Sequence, residues 1–83
     1  MVTGNPNPDC TGEYREAGTW SSKTYYKHQT KAYYVFYNGG NYRWYISFNI
    51  GETVAAWKSR SSSVLGTYDA VMVYAGNPVV EID

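Results

Sequence analysis

The chain reads as an all-β domain, and three observations lead there. No amphipathic helical period longer than about two turns runs anywhere in the 83 residues. Short runs rich in aromatic and β-branched residues recur instead, each bounded by Gly, Asn, Pro or Ser. Tyrosine dominates the rings, with ten copies against two Phe, and a ring with a polar tip suits a half-buried sheet better than a purely apolar interior. The expected architecture is a small single-domain antiparallel meander of roughly six or seven short strands, built as a sandwich or an open barrel.

The elements follow in chain order. Residues 1–11 read as an irregular arm, because Gly4, Pro6 and Pro8 lie among polar turn-formers. The β domain then spans 12–83. GEY (12–14) begins a short strand, REAG (15–18) turns, and Thr19-Trp20 leads into the polar SSK. TYYKH (24–28) and AYYVFY (32–37) are strands joined by QTK. NGGN (38–41) is the strongest local signal, since Asn-Gly and Gly-Gly accept the positive φ of tight hairpins. YRWYIS (42–47) returns. NIGETVAA is a loop with a helical turn, AAWKS (55–59) a strand, and VLGTY (64–68) restarts strand character after a serine-rich loop. The tail 70–82 offers a strand, a Gly-Asn-Pro turn and a closing strand.

Register divides the rings. A connection through NGGN sets Tyr37 opposite Tyr42, Val35 opposite Trp44 and Tyr34 opposite Tyr45. Opposed residues share a face and faces alternate along a strand. One face then holds Tyr33, Val35, Tyr37, Tyr42, Trp44 and Ile46, carries no charge, and is the natural core side. A turn at Gln29-Thr30 pairs Tyr25 with Tyr34, so the other face holds Tyr25, Lys27, Tyr34, Phe36, Arg43, Tyr45 and Ser47. Trp20 and Trp57 read as core or rim anchors.

Charge and chemistry narrow the functions. Seven basic and seven acidic residues balance, and nucleic-acid affinity needs an excess of Lys and Arg over phosphate. One cysteine, Cys10, and one histidine, His28, supply neither a disulfide nor a plausible zinc site. A free thiol fits assembly inside a cell better than a disulfide-rich secreted class. No secretory leader opens the sequence, and no apolar run approaches membrane-spanning length. There is no nucleophile elbow, and NGGN joins two strands rather than a strand and a helix, so it is no phosphate loop. The expectation is a chain without cofactor, metal or enzymatic activity.

The order of Gly12/Tyr14, Tyr25-Tyr26-Lys27, the run 33–37, Trp44/Ile46-Ser47 and Gly66/Tyr68 resembles small aromatic-rich all-β proteins of phage and bacterial genomes, largely of unassigned function. The resemblance covers most of the chain and rests on core and turn positions. It implies a virion-associated or interaction domain and no catalytic residue. The leading expectation is therefore a structural or interaction module that contacts a protein partner, or itself, through Tyr25, Tyr34, Phe36, Arg43 and Tyr45. The alternative is a carbohydrate-binding module that uses exposed Tyr and Trp rings.

Overall fold

The computed structural model describes residues 1–40, 42–52, 56–71 and 74–81. Within them the chain is all-β with no helix, and eight antiparallel strands form one curled half-barrel sheet. The strands are β1 (Val2–Thr3), β2 (Tyr14–Trp20), β3 (Lys23–His28), β4 (Tyr34–Asn38), β5 (Arg43–Ser47), β6 (Ala56–Ser59), β7 (Gly66–Val71) and β8 (Val79–Val80). From β2 to β8 each strand pairs with its successor, as a meander does. β1 breaks the sequence by pairing with β8. The strand count is thus slightly higher than expected, and the parts of the expected elements that fall on 41, 53–55, 72–73 and 82, the helical turn before AAWKS among them, lie outside the described residues.

β1 belongs to residues 1–11, expected to be irregular. Val2 pairs with Val80 on one side and bridges Gly12 on the other, through N–H···O bonds of 2.8 and 2.9 Å. That bridge ties one edge of the sheet to the residues leading into β2. Val2 and Cys10 are fully buried, so the arm is part of the core rather than an appendage to it. Gly12 is required at the bridge. Its φ is +134°, and a β-carbon there would lie 2.5 Å from His28 Nε2.

The β2–β3 hairpin also departs from expectation. REAG does not turn. Residues 15–18 stay in the strand, and Ala17 is the extra residue of a bulge between Glu16↔Tyr26 and Gly18↔Tyr25. The turn is Ser21-Ser22, between paired Trp20 and Lys23, with φ of 53° and 68°. Two positive φ values in a two-residue loop are the type I′ geometry that matches strand twist. Serine rarely supplies it, so nothing in SSK announced it.

At the next two hairpins the pairing moves by two residues from the expected register. Val35 faces Ile46 and Tyr37 faces Trp44, with Asn38 opposite Arg43; Tyr26 faces Val35, and Lys27 faces Tyr34. A shift of two preserves the side on which each residue lies, whereas a shift of one would exchange them. The uncharged side is accordingly the inner core, where Val35, Trp44 and Ile46 pack with Trp57, Tyr68, Val80, Val2 and Cys10. Trp57 is fully buried and donates from Nε1 to the Ala75 carbonyl at 3.0 Å. Tyr42 is the exception: it sits in the loop at φ 59° and is 67% exposed, not on the core side.

Candidate functional site

The outer face was expected to present an aromatic platform, and its rings do meet. Phe36 stacks on Tyr45 with centroids 6.0 Å apart and planes 18° apart. Tyr25 lies 6.1 Å from Tyr34, and Lys27 Nζ stands 5.9 Å from the Tyr34 ring centre. The middle of this face is nevertheless covered. Phe36 is 0% exposed and Tyr45 3%. With Ala56 they form a second apolar cluster, against which Tyr25, Tyr34 and Ile50 pack. The chain after β5 folds back over this face, so the expected platform is largely a second core. Tyr25 and Tyr34 stay half-exposed at its margin.

Arg43 does not join these rings. It lines a separate groove of about 380 Å³ with Lys58, Arg60 and Asp69. Its Nη1 donates to the Tyr42 carbonyl at 3.2 Å. Arg60 grips Asp69 through Nε and Nη2 at 2.9–3.1 Å, and this contact holds the Asp69 carboxyl below its ordinary range.

What stays open on this side is its end. Trp20 closes β2 and is 43% exposed. Its neighbours are the two hairpin tips and the returning loop. Trp20, Ser21, Asn38, Gly39, Gly40 and Gly51 line a shallow cleft of about 310 Å³. Two bonds hold its form: the Gly39 N–H donates to Ser21 Oγ at 3.2 Å, and the Gly40 N–H to Asn38 Oδ1 at 2.8 Å. Ser21 uses its oxygen as an acceptor there, which leaves its proton free to donate. Gly51 holds the wall against the indole; at φ +90° its missing β-carbon would lie 3.3 Å from Trp20 Cζ2. None of the six lining residues is charged. The cleft thus offers an indole face, a hydroxyl, an amide and bare glycine backbone. Sequence reasoning missed this site, because Trp20 read as an anchor and the serine turn was not legible.

The groups with chemical potential elsewhere are tied up. Burial pushes the Cys10 thiol up to about 12, so it is no nucleophile at neutral pH. His28 accepts from the Thr30 and Lys31 N–H groups on Nδ1, at 3.0 and 2.9 Å. Its Nε2 therefore carries the proton and donates to the Thr11 carbonyl at 2.8 Å. The Tyr14 ring meets the imidazole edge-on at 5.2 Å, and its hydroxyl donates to the Cys10 carbonyl. Among the described residues no group of three His, Cys, Asp or Glu side chains is placed to hold a metal.

Comparison with known proteins adds no relative: no family model, no curated protein and no solved structure matches this chain significantly.

Proposed function

We propose that the chain is a non-enzymatic binding module that takes a neutral carbohydrate on the Trp20 ring. The observation that carries this reading is the uncharged cleft itself, with an exposed indole set beside glycine backbone, a serine hydroxyl and an asparagine amide. Sugars present apolar C–H faces that pack on an aromatic ring and hydroxyls that exchange hydrogen bonds with such groups. A Trp or Tyr ring provides a large, rigid contact area at low entropic cost. The alternative expectation from the sequence thereby moves ahead of the leading one, with its platform transferred from Tyr34 and Tyr45 to Trp20.

The test is calorimetric titration with a panel of neutral oligosaccharides on the wild type and on Trp20→Ala. Saturable binding that disappears in the variant, with an unchanged circular dichroism spectrum, supports the reading. Binding to no sugar, or binding indifferent to Trp20, ends it.

A protein contact is the second reading. It loses the middle of the outer face to the chain's own loop, but keeps Tyr42 at 67% and Phe48 at 45% exposure. Tyrosine is among the residues enriched at interface hot spots. A defined oligomer that breaks up in Tyr42→Ala or Phe48→Ala would favour it.

A further inference from the structure

The inner side of the half-barrel opens into a second cleft, distinct from the Trp20 end. It has a volume of about 370 Å³ and lies where β1, β2, β3, β4, β8 and the loop before β7 converge. Val2, Val35, Val64 and Val80 make its walls. The loop wall is fixed in place: the Tyr68 hydroxyl donates to the Val64 carbonyl at 2.8 Å, and the Leu65 N–H to Ser63 Oγ at 3.1 Å. Leu65 stands at the rim, 39% exposed, an apolar side chain left in water beside an apolar opening.

The polar groups around the opening differ in how far they are already engaged. The Tyr14 hydroxyl is bound to the Cys10 carbonyl at 2.7 Å. The Glu81 carboxylate accepts from Thr3 Oγ1 at 3.3 Å. Tyr26 is one of the residues that line the cleft, and its hydroxyl makes no hydrogen bond among the described residues. The opening therefore combines aliphatic walls, a preformed shape and one unused hydroxyl. Small-molecule sites have this character: they run to roughly 300–1,000 Å³, are mostly apolar, carry a few placed polar groups, and occur at the mouths of barrels.

We propose that this mouth binds a small, uncharged, mainly apolar molecule with one hydrogen-bonding group that meets the Tyr26 hydroxyl. The ligand is taken as uncharged because the valine walls give a buried ion no partner, and the one carboxylate of the lining, Glu81, is exposed at the rim and bonded to Thr3. The site is independent of the Trp20 cleft, which lies on the other side of the sheet.

The test uses the neutral dye N-phenylnaphthylamine and its displacement by n-octanol. The expected result is a saturable rise in dye fluorescence at one dye per chain. n-Octanol reverses it and soluble oligosaccharides do not. Val64→Trp fills the cleft and abolishes the signal. Leu65→Trp, at the exposed rim, reduces it severalfold and serves should Val64→Trp fail to fold. Tyr26→Phe keeps dye binding but weakens n-octanol about threefold to tenfold, the loss of one neutral hydrogen bond. A wild type that gives no saturable signal overturns the proposal. So does a signal of equal strength in the folded tryptophan variants.

Discussion

Gly51 lies against the indole of Trp20, so close that a methyl group in its place would stand 3.3 Å from Cζ2. The contact links the loop that covers the outer rings to the strand end that carries the open cleft. Gly51→Ala strains a backbone at φ +90° and crowds the indole at once. Its expected cost is about 1–2 kcal/mol of stability, read by urea unfolding. The same variant crowds Trp20, so any binding of the oligosaccharide panel at the proposed site is expected to weaken with it. Trp20→Ala is expected to leave stability within about 1 kcal/mol, since the side chain is 43% exposed.

Covered and exposed rings separate under mutation. Phe36→Ala removes a fully buried ring from the outer cluster, and the expected loss is about 3–5 kcal/mol. Tyr42→Gly removes an exposed ring from a residue at φ 59°, where a side chain itself carries strain. Stability is expected to hold or to rise by up to about 1 kcal/mol. Thermal unfolding of both variants decides the matter: similar small losses would mean that the outer face is a platform after all.

His28 acts as a clasp between the arm and the β3–β4 turn, with both ring nitrogens bound to backbone. His28→Ala leaves the Thr11 carbonyl and two turn N–H groups to find water. The expected cost is about 1–3 kcal/mol. Hydrogen exchange at Thr30 and Lys31 should accelerate more than at β5 amides, and an even acceleration throughout would contradict a local clasp.

Alkali should unfold the chain through its buried acids. The Cys10 thiol ordinarily titrates near 9.0 and is held up to about 12 in the fold by burial, while burial also raises Tyr14 and Tyr68. Between those two Cys10 values the unfolded chain gives up a proton that the folded chain keeps. Stability is therefore fully present below pH 9.0 and declines as pH rises toward about 12. The slope reaches about 1.4 kcal/mol per pH unit for each such proton. Cys10→Ala should flatten part of the decline in urea midpoints measured across this window, and an unchanged slope would remove Cys10 as a cause.

The inner core was legible because period-two alternation survives a register error of two. Val35, Trp44 and Ile46 stayed together although none met its expected partner. Three features were not legible, each for its own reason. β1 is two residues long, too short to show any period. The Ser21-Ser22 turn uses positive φ at residues that seldom adopt it. The cover over Phe36 and Tyr45 comes from a loop whose path no alternation encodes, so Tyr25, Tyr34, Phe36 and Tyr45 are neighbours, but Phe36 and Tyr45 are buried while Tyr25 and Tyr34 stay half-exposed. Arg43 shares their side of the sheet but sits by Lys58 and Arg60 instead.

The place of β1 sets an order of assembly. Every hairpin from β2 onward joins neighbours in the chain and can close as soon as it leaves the ribosome. Val2 precedes β2 to β7 in the chain, yet it rests between Gly12 and Val80, and Val80 follows them. β1 is thus seated against β8 only after the whole meander between them has been made. A chain cut before Val79 should form its central hairpins and leave β1 held on one side alone, by its bridge to Gly12.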